Sequence, residues 1–297
     1  MRSLTSVDLP RARSIAALAL LIIVLPTWRM TAEPPAPGAD TAQALIETYN
    51  ARKIGDPGKR CIRLRLYDGE TLTRDFRIAH LWQRFDAEIR SLVLLQRPDG
   101  LHGTSYLLIE DLQLDAGMRV FLQLASSKVP LEILPGRFDE GLLGSDFGYR
   151  DLLWRLPMGG HELLLDDASP RVVISRATTE GARAATAWSS TRSRFRDDGL
   201  LETVGYFVDG GTAPAKRLEI EGWTDADGAW TPRRMTMQVD ADRRSLLTLD
   251  AARFGVEPWP AGLFEASALP EIVAFLRQHN GALPPELDLD CRQLAAD

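Results

Sequence analysis

In Cys61-Ile62-Arg63-Leu64-Arg65-Leu66-Tyr67-Asp68-Gly69, the apolar residues Ile62, Leu64 and Leu66 alternate with Arg63 and Arg65, and an Asp-Gly pair closes the run. A period of two is the mark of a half-buried strand, and Asp-Gly supplies the positive backbone angles of a tight hairpin. The return strand is Arg74 to Trp82, which places Phe76, Ile78 and Trp82 on one face. Asp86 to Gln96, a Pro98-Asp99-Gly100 turn, Gly103 to Asp111 and Met118 to Leu124 extend the pattern into a five-stranded antiparallel meander.

Two of these segments, Ser91 to Leu95 and Tyr106 to Ile109, are apolar on both faces, so something must cover the second face of the sheet. A second series follows at His161 to Leu165, Arg171 to Arg176, Ala187 to Phe195, Leu200 to Val208, Arg217 to Trp223, Trp230 to Val239 and Arg244 to Phe254. Asp198-Gly199, Asp209-Gly210-Gly211 and Asp227-Gly228 mark turns between them. Roughly a dozen strands at this spacing predict a barrel or a strongly curved sheet. Three segments read as helical. The first is Asp40 to Ala51, with Ala44, Leu45 and Thr48 on one side. The second is a short turn from Tyr149 to Trp154. The third is Leu269 to Asn280, with Pro270 in its first turn and Gly281 as its stop.

Arg2, Arg11 and Arg13 precede the apolar run Ile15 to Leu25, which Pro26 ends. That layout predicts a signal peptide over residues 1–32, cleaved after Ala32, with an uncleaved N-terminal anchor as the alternative. Residues 33–39, rich in proline, form a spacer; residues 40–264 form the β domain and 265–297 a C-terminal helix and tail. The first cysteine is Cys61, so the chain has no acceptor for N-terminal lipidation. The net charge of −6 is spread without a basic block, which argues against nucleic acid as a partner. The 2 cysteines, Cys61 and Cys291, can pair in an exported chain or remain buried thiols. A bond closing so long a loop contributes roughly 5 kcal/mol by chain entropy.

Gly144-Ser145-Asp146-Phe147-Gly148-Tyr149-Arg150-Asp151-Leu152, after Leu142-Leu143, resembles the "LGSDFSYEDL" signature of LolA-like periplasmic proteins of outer membrane lipoprotein sorting. Arg97-Pro98-Asp99-Gly100 through Leu108 and Trp230-Thr231-Pro232 through Met237 resemble flanking segments of that family. Gly148 stands where the family has Ser or Thr, and Arg150 where it has Glu. The resemblance implies a mainly β fold: a half-open, strongly curved antiparallel barrel of about eleven strands, with short helices over an apolar concave face. It also implies a periplasmic carrier that binds a lipoprotein acyl chain or other lipid and passes it on. Its partner would be an inner-membrane transporter or an outer-membrane acceptor. The alternative is a sensor or assembly factor of the same fold that binds protein or peptide.

An apolar lining suits acyl chains, because each buried methylene contributes about 0.8 kcal/mol without directional bonding. The lining residues expected are Phe76, Ile78, Trp82, Leu92, Leu94, Leu107, Ile109, Phe147, Tyr149 and Leu152. Within the signature, Gly144, Ser145, Asp146 and Asp151 are singled out, and two readings stand. Asp146 or Ser145 caps the short helix after it and so positions a lid, or the motif is a structural turn. Phe147, Tyr149 and Leu152 likewise either touch cargo or plug the core.

No constellation for catalysis emerges. The 4 histidines, His80, His102, His161 and His279, occur singly, without metal-ligand spacing. Ser145 lacks the G-x-S-x-G offset of a nucleophile elbow, and Gly55 to Arg60 lacks the spacing of a phosphate loop. The expectation is a binding protein with neither metal nor cofactor.

Overall fold

The structure, a computed structural model, describes residues 41–112, 117–152, 155–226 and 228–283. The expected signal segment and spacer, Trp154, Asp227 and Cys291 lie outside the described residues. The described residues open with helix α1 (Ala42–Ala51), capped by Thr41, whose Oγ1 accepts from the Ala44 N–H at 3.1 Å. Its buried stripe is Ala42, Ile46 and Tyr49, one position round the helix from the expected Ala44, Leu45 and Thr48, which are half-buried.

The first meander comprises β1 (Gly58–Asp68), β2 (Thr71–Phe85), β3 (Glu88–Arg97), β4 (Ser105–Asp111), β5 (Met118–Gln123) and β6 (Leu131–Ile133). The second comprises β7 (His161–Asp166), β8 (Ser169–Ala177), β9 (Ser190–Phe195), β10 (Leu201–Phe207), β11 (Lys216–Ala226), β12 (Ala229–Gln238) and β13 (Arg243–Phe254). A short helix, α2 (Glu180–Ala184), interrupts the second, and α3 (Leu269–Gln278) follows it. The short strand β6 was not expected, because its 3 residues, set between Pro130 and Pro135, are too few to display alternation.

All the described strands join one antiparallel sheet of 13 strands, with β1 and β13 paired at its middle and β6 and β7 at its edges. The sheet is curved and not closed. Register lines up the apolar positions across it: Phe76 faces Leu64, Leu64 faces Leu247, Leu247 faces Met235, and Met235 faces Ile220. Shifts at Cys61/Ile62, Leu66/Tyr67 and Arg77/Ile78 insert bulges, which bend strands and increase their twist.

Both faces are covered, as the doubly apolar strands require. The inner face carries Ile62, Leu64, Phe76, Ile78, Val93 and Leu95 under α1 and the segment between β6 and β7. The outer face carries Cys61, Ala79, Leu81, Leu92, Leu94 and Leu107 beneath Trp259, Phe264, Leu269 and Leu276 of the C-terminal segment. Because β6 and β7 are opposite edges, the chain from residue 134 to 160 must cross from one to the other. Its described residues lie over the inner face, where Phe138, Leu142, Phe147, Tyr149 and Leu152 are buried. The signature therefore lies in the crossing segment, and topology makes that segment the cover of the sheet.

Candidate functional site

The inner face is not filled evenly. Over the first meander, Phe147 and Phe138 are fully buried in the same cluster as Phe76, Ile78 and Val93, and the Tyr149 and Tyr106 rings lie 5.8 Å apart. Over the second meander three of the cavity-lining positions are small: Ser175 and Ala177 on β8, Ser193 on β9. A cavity of about 130 Å³ remains there, between α1, the crossing segment and β8 to β12. Its apolar wall includes Leu152, Leu201, Val204, Leu218, Ile220 and Trp223. Drug-sized ligand sites run from about 300 to 1,000 Å³, so a long chain can enter only if the cover shifts.

The cover is held by polar tethers. Asp151 accepts from Lys216 Nζ at 2.8 Å, from the Tyr206 hydroxyl, and from the Gly148 N–H at 2.7 Å. The Asp151 and Lys216 side chains are only 3% and 5% exposed, so this ion pair is out of water. Burial, reinforced by the Asp151 carboxylate, pushes the Tyr206 phenol well above its ordinary range, so it stays a donor. Asp146 accepts from Arg243 Nε at 2.7 Å and Ser245 Oγ at 2.8 Å, while its own N–H donates to Ser245 Oγ at 2.9 Å. At the far end, Asn50 of α1 clasps Leu156 in both directions: its amide donates to the carbonyl at 2.9 Å and accepts from the N–H at 2.7 Å.

Donors crowd the cavity wall. Arg52 sits at the end of α1 with its guanidinium 3.7 Å over the Tyr49 ring and Nη1 on the Tyr49 carbonyl at 2.8 Å. Arg150 Nε donates to the Ala185 carbonyl at 2.8 Å. Arg60 donates to His80 Nδ1 at 3.1 Å and to Thr231 Oγ1 at 2.8 Å, and burial brings its pKa down to about 9. Burial likewise lowers Arg52 and Arg150.

A family model described as a "-like" uncharacterized protein matches residues 87–271, more than half of the chain. The chain belongs to this family. No curated protein matches it. A solved domain from Vibrio parahaemolyticus, assigned to outer membrane lipoprotein sorting, superposes with a TM-score of 0.66 at 15% identity, covering 77% of this chain and 97% of that one. A DUF1329 family protein from Desulfovibrio piger gives 0.66 at 17% identity, with the same 77% and 97% coverage. A LolA superfamily protein from Nitrosomonas europaea gives 0.56 at 13% identity, covering 76% and 97%. The LolA-like fold is thus the fold of this chain.

Within that LolA-like frame, the residues expected to line the site divide four ways. Leu152 lines the cavity. Phe76, Ile78, Phe147 and Tyr149 share the inner face but pack in its filled half. Leu92, Leu94, Leu107 and Ile109 are on the outer face, under the C-terminal segment. Strands apolar on both sides carry no sign of which side faces inward, so that expectation merged two faces. Trp82 keeps the parity of Phe76 and Ile78 but lies near the far end of β2, where it packs with Ile54, Ile89 and Phe254 instead.

The signature's acids differ from the expected cap. Asp146 binds β13 and does not cap the turn of Tyr149–Leu152; the Gly148 N–H that opens this turn goes to Asp151. Ser145 Oγ accepts locally from the Phe147 N–H at 3.2 Å. Gly144 takes a φ of 76°, a conformation that favours glycine. Gly148, the departure from the family's Ser or Thr, faces Gly141 in a single bridge, and a Cβ on it would lie 2.9 Å from the Phe138 carbonyl. The residues missed by sequence reasoning are Tyr49, Arg52, Ser175, Trp188, Tyr206 and Trp223. The available signal was the run of small inward residues on β8 and β9. Among the described residues, no group of three His, Cys, Asp or Glu is placed to hold a metal. No described helix is long and apolar enough to cross a membrane.

Proposed function

We propose that this protein is a non-catalytic periplasmic carrier that takes a lipoprotein acyl chain or other lipid into the cavity beneath its crossing segment. It passes that cargo between envelope components. The observation that carries the reading is a hollow on the inner face of a LolA-like sheet, closed by a cover attached through discrete polar tethers. Such a cover exchanges between two states when cargo replaces its own contacts, and the two states need only be close in energy. Outer membrane lipoprotein sorting, to which the Vibrio domain is assigned, fits the same picture. Export through a signal peptide at residues 1–32 belongs to it. So does a Cys61–Cys291 disulfide, supported by the burial of Cys61 under the C-terminal segment and by the lack of a free cysteine among the described residues.

Native mass spectrometry of the full chain after mild extraction tests the reading: adducts of lipid mass that organic solvent removes are expected. A second reading, capture of a protein or peptide, is favoured by the edge around β6, where Val129, Leu131 and Leu134 are exposed. An adduct-free protein that instead retains a polypeptide would overturn the carrier reading in its favour.

A further inference from the structure

The cavity wall is more cationic than an acyl-chain tunnel requires. Arg52, Arg60, Arg150 and Arg155 line it against the carboxylates of Asp139 and Asp151. Both carboxylates are engaged: Asp139 accepts from Thr186 Oγ1 at 3.1 Å and the Ala187 N–H at 2.7 Å, and Asp151 serves Lys216, Tyr206 and Gly148. Arg60 is committed to His80 and Thr231, and Arg155 to the Leu112 carbonyl at 2.6 Å.

Four other groups are left over. Arg52 Nε, Arg150 Nη2, Trp188 Nε1 and Ser175 Oγ are each buried without a hydrogen-bond partner among the described residues. All four residues belong to the wall of this one cavity, yet they come from four places in the chain: the end of α1, the crossing segment, the turn before β9, and β8. Burying a donor without an acceptor is unfavourable, and more so when the donor is charged. That four residues with such donors line one hollow points to an acceptor that arrives from outside, reached when the cover shifts.

We propose that the cavity binds the acidic head of an amphiphile. A carboxylate or phosphate oxyanion is held by Arg52, Arg150, Trp188 and Ser175, and the attached chain lies against Leu201, Val204 and Ile220. Arginine suits the task because its planar fork matches an oxyanion and stays charged at any physiological pH. Trp188 and Ser175 complete the shell with neutral donors. The inference rests on the carrier reading and adds to it the class of head group.

Isothermal titration of the full chain with octanoate, octyl phosphate, octanol and inorganic phosphate tests it. Octanoate and octyl phosphate should bind at least about tenfold more tightly than octanol. Arg52→Gln and Arg150→Gln should each weaken octanoate about tenfold and leave octanol unchanged. Trp188→Phe, which keeps the ring and removes the N–H, should weaken octanoate without lowering the melting temperature. Equal binding of octanoate and octanol would overturn the head-group claim while the carrier reading stands. Inorganic phosphate binding as tightly as octyl phosphate would show a free-anion site and also overturn it. Anion preference that survives in the arginine variants would place the head group elsewhere. If none of the three chain-bearing ligands binds, the carrier reading and this inference fail together.

Discussion

Replacing Asp151 with asparagine leaves the shape of the cover intact but leaves the Lys216 ammonium buried without its counter-charge. The two side chains are 3% and 5% exposed and 2.8 Å apart, so solvent can screen little of the loss. Removing one partner of such a pair costs about 3–5 kcal/mol, because the remaining charge stays desolvated. At roughly 2–4 °C per kcal/mol for a domain of this size, the melting temperature should fall by about 6–20 °C. Equilibrium urea unfolding of Asp151→Asn, Lys216→Met and the double variant gives the coupling directly. Removing both charges should recover about 2 kcal/mol or more of the single-variant loss, since no charge is then stranded. A cost for Asp151→Asn below about 0.5 kcal/mol, or single costs that simply add, would refute the claim that this pair holds the cover.

Ser193→Leu should fill the small-residue side of the cavity and reduce acyl-chain binding about tenfold or more without loss of stability, as titration and thermal melts would show. Phe264→Ala should cost about 3–5 kcal/mol in urea unfolding by opening a void on the outer face, yet leave octanol affinity unchanged. His80 supplies a pH dependence: burial, and then the Arg60 guanidinium donating to Nδ1, lowers its pKa well below 6.5. The unfolded chain therefore takes up a proton that the folded chain refuses. The corresponding stability is present above about pH 6.5 and is lost as pH falls below it, by up to about 1.4 kcal/mol per pH unit. Unfolding free energies from pH 5 to 7 should show this slope in the native chain and its absence in His80→Gln.

The two meanders are legible in the sequence because alternation is a local property and Asp-Gly pairs mark where each strand turns back. The join between them is not, since β1 and β13 are separated by nearly the whole chain and pair through register alone. Faces were harder still. Leu92 and Leu107 look no different from Val93 and Tyr106 until α3 and the crossing segment take opposite sides. The signature was visible as a motif, but the roles of Asp151 and Asp146 depend on Lys216, Tyr206, Arg243 and Ser245, all remote in sequence. The cavity itself is not legible because it arises where side chains are small, at Ser175, Ala177 and Ser193, and large apolar residues do not mark it.

Where the chain of an amphiphile rests can be read by photolabelling with a diazirine-bearing fatty acid, followed by peptide mapping. The label should fall on peptides carrying Leu201, Val204, Ile220 and Trp223, and Ser193→Leu should abolish it. Labelling confined to Leu92, Leu94 and Leu107 under the C-terminal segment, or unchanged labelling in the filled variant, would contradict the assignment of cargo to the hollow beneath the crossing segment.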